Sequence, residues 1–105
     1  MIDVKLTDAS NGKDIPLTVG QTFTIALAEN PATGYRWIFV QKGGPICSFI
    51  DDSFEPPKHL LGGAGLHEWH FRAHAPGTGT VEMRLVRGWD PNSATRSLLL
   101  HLRVT

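Results

Sequence analysis

The sequence contains a single cysteine, Cys47, and five histidines, which together raise the question of thiol catalysis. A nucleophilic cysteine needs a histidine base, and His59, His67 or His70 could supply one after folding. Residues 45–49, however, read Pro-Ile-Cys-Ser-Phe, which is typical of the start of a strand. An isolated cysteine in such a run behaves as a small apolar side chain. We therefore interpret Cys47 as a buried structural thiol, and a small hydrolase is the least favoured function.

Neither the histidines nor the adjacent aspartates have the spacing of a metal site or an acid–base pair. Along a strand, His67 and His70 face opposite sides, and His70 and His74 lie about 13 Å apart. One zinc ion cannot bind both across that distance. Asp51 and Asp52 would also face opposite sides of a strand, so we interpret them as part of a solvated turn. The sequence predicts no metal, no cofactor and no catalytic residue.

A glycine-rich segment at residues 60–66 reads Leu-Leu-Gly-Gly-Ala-Gly-Leu. It is a weak match to a phosphate-binding loop, because no Lys-Ser/Thr pair follows and no helix is predicted to begin there. Four small residues in a row leave the backbone uncovered, so its peptide groups can approach another surface closely. The alternative interpretation is an ordinary flexible surface loop.

Two further loops have unusual contents. Residues 30–35 read Asn-Pro-Ala-Thr-Gly-Tyr, in which Pro31 restricts the backbone and Gly34 permits a positive φ. Such a stiff loop loses little entropy on binding, although a plain inter-strand turn would have a similar composition. Residues 86–91 read Val-Arg-Gly-Trp-Asp-Pro. Arginine and tryptophan are enriched in binding hot spots, whereas the alternative is that Trp89 folds back over the end of the domain.

The elements that must position these loops are strands, because apolar and polar residues alternate along most of the chain. Strict alternation places apolar side chains on one face of a sheet, and such half-buried sheets need a second sheet to cover them. We therefore predict an all-β sandwich of seven or eight short antiparallel strands, with Trp37 and Trp69 in the core and no long α-helix. The predicted inward-facing runs are Ile2/Val4/Leu6, Phe23/Ile25/Leu27, Trp37/Phe39, Trp69/Phe71/Ala73, Val81/Met83/Leu85 and Leu98/Leu100/Leu102/Val104.

Composition limits the classes of partner. Length predicts one domain over residues 1–105, and ten basic residues balance ten acidic ones, which disfavours nucleic acid or anionic lipid as a partner. The longest uncharged run, residues 15–28, is shorter than a membrane span. The N-terminus lacks the features of a signal peptide, so we expect a cytoplasmic protein, or a periplasmic or secreted one whose signal has been removed.

Taken in order, the three loops resemble the binding motifs of the chagasin-like family of cysteine protease inhibitors. Members of that family carry an Asn-Pro-x-Thr-Gly-Tyr/Phe loop, a Gly-x-Gly-Gly loop and an Arg-Pro-Trp loop. The strand plan is also similar, so the resemblance covers nearly the whole chain. The corresponding residues are Asn30 to Tyr35, then Gly62, Gly63 and Gly65, then Arg87 and Trp89.

The resemblance implies an immunoglobulin-like β-sandwich whose three loops form a wedge at one end. As a reversible, tight-binding inhibitor and a monomer, the protein would insert this wedge into the active-site cleft of a papain-like cysteine protease. Thr33 would lie over the catalytic thiol, where its hydroxyl and nearby N–H groups could form hydrogen bonds. The glycine-rich loop would run along one side of the cleft, and Trp89 would pack on the other. The implied protease-binding residues are Asn30, Pro31, Ala32, Thr33, Gly34, Tyr35, Leu61, Gly62, Gly63, Ala64, Gly65, Leu66, Arg87, Gly88 and Trp89.

Two positions depart from the family motifs. Ala64 stands where the family has glycine, which restricts the backbone of the second motif, and Gly88 stands where the family has proline. A glycine at that position is expected to loosen the third loop. The alternative function is a β-sandwich binding or adhesion module that uses the same loops for another partner, such as carbohydrate.

Overall fold

In a computed structural model, described over residues 2–56, 64–88 and 90–105, the chain forms two four-stranded sheets packed face to face. Within those residues the only helical segments are three 3₁₀ turns, at Asp8–Ser10, Pro31–Thr33 and Pro91–Ser93. The predicted all-β sandwich is therefore confirmed. Its strands are β1 (Val4–Leu6), β2 (Asp14–Leu17), β3 (Thr22–Glu29), β4 (Tyr35–Lys42), β5 (Cys47–Glu55), β6 (Gly65–Ala73), β7 (Gly77–Arg87) and β8 (Arg96–Val104).

The first sheet has the strand order β1-β3-β6-β5, and the second has the order β2-β8-β7-β4. Four pairings are antiparallel, but β1 pairs with β3, and β2 with β8, in parallel. The expectation of antiparallel strands throughout was wrong at these two edges. β1 and β2 run in opposite directions but belong to different sheets. β1 therefore pairs with β3, and β2 with β8, each with a strand that runs in the same direction.

The alternation of apolar residues predicts the core well. The inward-facing runs of β3, β6 and β8 are buried, and Val81 and Met83 of β7 are fully enclosed. Val4, Phe39 and Leu85 are partly buried against this core, whereas Ile2 lies outside β1 and is 84% exposed. The alternation of the first few residues therefore predicted one inward-facing residue too many, because β1 is only three residues long.

Aromatic rings join the two sheets at the centre of the sandwich. Phe23 and Phe71 are direct cross-strand neighbours in the first sheet, and their rings stack with centroids 5.0 Å apart. Phe39 of the second sheet meets the ring of Phe71 edge-on at 5.8 Å. Such contacts add about 0.5–1.5 kcal/mol each beyond the burial of apolar area. Trp37 and Trp69 are also buried, as predicted.

Three connections lie together at one end of the sandwich. Strand register shows this, because Glu29 at the end of β3 lies opposite Gly65 at the start of β6. Glu55 at the end of β5 pairs beside them with Leu66, and Tyr35 pairs with Arg87 in the second sheet. The strand ends that border the first loop (residues 30–34), the second loop (56–64) and the third loop (88–95) therefore lie at the same end of the sandwich. No helix within the described ranges is long and apolar enough to cross a bilayer.

Cys47 begins β5 at the opposite end of the sandwich. It is 7% exposed, and its Sγ donates to the carbonyl oxygen of Lys42 at 3.3 Å. Burial raises the pKa of this thiol to about 11, so the reactive thiolate is scarce at neutral pH. These observations agree with a buried structural thiol.

Cys47 should therefore resist thiol reagents as long as the protein stays folded. We expect labelling by a chromogenic disulfide reagent at pH 8 to be about a hundredfold slower, or more, than labelling of the denatured chain. Unfolding in guanidinium chloride should release one equivalent of thiol. Rapid stoichiometric labelling of the native protein would contradict the burial of this side chain.

Candidate functional site

The first loop is held by its own hydrogen bonds. Asn30 caps the 3₁₀ turn, because its Oδ1 accepts from the N–H of Ala32 at 3.1 Å. The N–H of Thr33 donates to the carbonyl of Asn30, and the N–H of Gly34 donates to that of Pro31. Gly34 adopts the left-handed conformation, with φ of 80°, as its position before β4 predicted.

The hydroxyl of Thr33 is also used within the loop. It donates to the carbonyl of Asn30 at 2.8 Å and accepts from the N–H of Tyr35 at 3.3 Å. Each N–H from Ala32 to Tyr35 therefore has an acceptor inside the loop. The predicted role of this hydroxyl and these N–H groups toward a partner stays a prediction, and in the free protein they form hydrogen bonds within the loop. The loop instead presents exposed Pro31, Ala32 and Thr33.

The third loop repeats this local design. Asp90 caps the 3₁₀ turn Pro91–Ser93 by accepting from the N–H of Asn92 at 3.0 Å. The hydroxyl of Ser93 donates to the carbonyl of Asp90 at 2.6 Å, as the Thr33 hydroxyl does to Asn30. Both loops thus contain Asx-Pro-x-Ser/Thr, in which two short polar side chains close the turn. This pattern occurs twice in the sequence, at residues 30–33 and 90–93, and only the first copy belongs to the family motifs.

Gly88 connects the third loop to the first. Its N–H donates to the carbonyl of Gly34 at 3.2 Å, and its φ is +60°. Proline cannot adopt this φ and has no N–H to donate. Glycine at this position therefore does not simply loosen the loop, as we expected, because it permits both the backbone conformation and the contact between loops.

The other predicted residues have mixed environments. Arg87 is exposed and lies opposite half-buried Tyr35, whereas Ala64 is exposed next to the second loop's exit. Leu66 is 37% exposed. Gly65 is buried, and a Cβ there would lie 2.5 Å from both the ring of Phe54 and the carbonyl oxygen of Glu55. Its role within the fold is therefore to let β5 pack closely. Leu61, Gly62, Gly63 and Trp89 lie outside the described residues.

A polar cluster that the sequence analysis did not identify lies at the same end of the sandwich, next to the start of the first loop. His67 Nδ1 is 2.9 Å from Glu29 Oε1, and His67 Nε2 is 2.7 Å from Asp52 Oδ2. Asp52 was predicted to lie in a solvated turn, but it is part of β5. Glu29 and His67 continue the alternation of buried residues along β3 and β6, and this alternation could have indicated that both side chains face inward. The parts of the chain that the structure describes contain no group of side chains suited to hold a metal ion.

Replacing Gly88 tests the contact between the first and third loops. We expect Gly88→Pro to lower the free energy of unfolding by about 1–3 kcal/mol, because it strains the backbone and removes the hydrogen bond to Gly34. Gly88→Ala keeps the N–H and should cost only about 1 kcal/mol, for the positive φ alone. Denaturant unfolding measures both values. An unchanged or increased stability of Gly88→Pro would show that the left-handed conformation is not required.

Comparisons with known proteins agree with this arrangement. The profile of the chagasin family of peptidase inhibitors, I42, matches residues 16–104. Chagasin of Trypanosoma cruzi is 34% identical over 94% of this chain and 96% of its own. Amoebiasin-1 of Entamoeba histolytica is 29% identical over 96% of this chain and 99% of its own.

Two solved structures have a similar fold. The cysteine protease inhibitor EhICP2 from Entamoeba histolytica superposes with a TM-score of 0.87 at 21% identity, over 98% of this chain and 96% of that one. PbICP-C, solved in complex with falcipain-2, gives a TM-score of 0.65 at 20% identity, over 100% of this chain and 91% of that one. Given the profile match over most of its length and a relative that is 34% identical, this chain belongs to the chagasin family of peptidase inhibitors.

Proposed function

We propose that this protein is a reversible, tight-binding inhibitor of papain-like cysteine proteases, and that its three adjacent loops occupy the active-site cleft. The observation that carries the proposal is the self-contained first loop, in which the N–H groups of residues 32–35 all have internal acceptors. A small, stiff and exposed turn of this kind can approach a catalytic thiol without offering it an extended peptide bond.

The geometry explains why such an inhibitor would block the enzyme and not be cleaved as a substrate. A protease substrate binds as an extended strand that pairs through its backbone, but residues 31–33 form a 3₁₀ turn. Because the turn is already ordered, binding costs little conformational entropy. Pro31, Ala32 and Thr33 present a compact, mainly apolar tip, so affinity would come from fit at the base of the cleft.

Other features support the same partner. The complex of PbICP-C with falcipain-2 shows that a protein of this fold can bind a cysteine protease. The balance of ten basic and ten acidic residues favours shape complementarity over long-range attraction. Trp89 and the glycine-rich segment remain proposed contacts on the two sides of the first loop.

Titration of papain with the purified protein tests the proposal. We expect stoichiometric loss of activity, and we expect Thr33→Arg to weaken inhibition at least about thirtyfold, the equivalent of about 2 kcal/mol, because a long charged side chain would block the approach of the tip. Thr105→Arg introduces the same side chain at an exposed position distant from the loops and should inhibit like the parent. Undiminished papain activity at micromolar excess of the parent would contradict the proposal and favour a binding module for another partner.

The hydroxyl of Thr33 can be separated from its methyl group in the same assay. Thr33→Ser keeps both hydrogen bonds that close the loop, whereas Thr33→Val keeps the shape and loses them. We expect the valine variant to inhibit less well than the serine variant, since the open loop must be ordered on binding. The reverse order would indicate that the methyl contact matters more than closure of the turn.

A further inference from the structure

The cluster of Glu29, His67 and Asp52 lies on the inner face of the first sheet, at the end that carries the loops. Glu29 follows buried Leu27 by two residues along β3, and Leu27 is the direct cross-strand neighbour of His67. Asp52 is the direct neighbour of buried Trp69, two residues beyond His67 in β6. The three side chains therefore form a diagonal line across β3, β6 and β5, on the face that packs against the second sheet.

Glu29 connects the two sheets as well as the strands. Its Oε1 lies 2.9 Å from His67 Nδ1, while its Oε2 accepts from the backbone N–H of Trp37 in β4 at 2.7 Å. The indole N–H of Trp37 in turn donates to the carbonyl of Ala28 at 3.1 Å. The Glu29 carboxylate therefore joins the end of β3, where the first loop begins, to Trp37 in β4, just after the first loop ends.

The cluster becomes more buried from Asp52 through His67 to Glu29. Only 9% of the Glu29 side chain and 16% of the His67 side chain are exposed, against 49% for Asp52. A buried carboxylate needs hydrogen-bond partners to offset its desolvation. Each ring nitrogen of His67 faces one carboxylate oxygen at hydrogen-bond distance, so the ring joins Glu29 to Asp52. That ring stacks on Trp69 at 3.8 Å, so it has little freedom to turn.

The position of the cluster links it to the loops. Glu29 directly precedes Asn30, which caps the first loop, and it is paired in register with Gly65, where the second loop ends. His67 follows Gly65 by two residues. A shift of the Glu29 carboxylate would therefore move the start of the first loop relative to the end of the second.

We propose that Glu29, held by His67 with Asp52 on the other ring nitrogen, is a positioning residue that sets the start of the first loop against Gly65 at the start of β6, and that tight inhibition depends on it. This inference rests on the proposed function, since it assigns the cluster a role in protease binding. Glu29 itself is buried beneath the loop and acts through the backbone that it holds. Its removal should change how well the loops are placed even in a chain that stays folded.

The test compares isosteric variants with matched controls in papain inhibition. Glu29→Gln keeps the size of the side chain but replaces one of the two carboxylate oxygens that contact His67 and the Trp37 N–H with an NH₂ group, and we expect the inhibition constant to rise at least about tenfold. Asp52→Asn should have a smaller effect, because that carboxylate is half exposed. Glu68→Gln and Asp51→Asn change adjacent positions on the opposite face of the same strands, and both should inhibit like the parent.

A second control separates positioning from stability. Ile46→Val removes one buried methylene at the far end of the sandwich, and it should lower the melting temperature without weakening inhibition. If Glu29→Gln inhibits as well as the parent, or loses no more affinity than a far-end variant of equal melting temperature, the positioning role is wrong.

A measurement on the free protein makes the inference independent of the choice of protease. Amide hydrogen exchange at Ala32, Thr33 and Gly34 should be faster in Glu29→Gln than in the parent, while exchange in β8 is unchanged; equal loop exchange would overturn the inference. Failure of the proposed function would appear separately, as a parent protein that leaves papain fully active.

Discussion

A carboxylate buried between two sheets constrains the whole loop-bearing end of this protein. Glu29 cannot be left without partners in an apolar interior, so β3, β4 and β6 must meet in a geometry that brings the Trp37 N–H and the His67 ring to its oxygens. No buried side-chain nitrogen or oxygen in the described residues lacks a hydrogen-bond partner. The apolar core holds the sheets together, but this polar contact specifies how they are aligned where the loops leave them.

The polar groups of the first and third loops also have hydrogen-bond partners, but these partners lie within each loop. In the first and third loops an Asx side chain caps a 3₁₀ turn, and a hydroxyl three residues later donates to the Asx carbonyl. Two independent turns of one design, joined by the hydrogen bond from Gly88 to Gly34, give a surface whose shape does not depend on a partner. For an inhibitor without chemistry of its own, a preformed surface is the source of affinity.

The free edges of the two sheets show how the same fold avoids unwanted pairing. β4 and β5 are edge strands, and the ladder of each is interrupted by a bulge, at Val40 and Ile50 respectively. Bulges twist an edge away from flat pairing with another chain. Asp52 adds a charge that points inward from β5, where it also completes the cluster with His67. One residue therefore contributes both to protection of the edge and to the arrangement of the loops.

The sequence predicted six of the eight strands, most of their inward-facing residues and the three loops, because these depend on alternation and turn chemistry over a few neighbouring residues. It did not identify β2, and it assigned Asp51 and Asp52 of β5 to a turn. It also carried the family motifs, including the stiffness of residues 30–35. It could not show that the Thr33 hydroxyl forms hydrogen bonds within its own loop. It also could not show that the Gly88 N–H donates to the Gly34 carbonyl, whereas glycine at this position was expected to loosen the third loop. The hydrogen bonds that join Glu29, His67 and Asp52 are visible only in the tertiary structure. These residues lie on three strands far apart in the chain, and their contact depends on cross-strand register and on the packing of the two sheets, which no local pattern encodes.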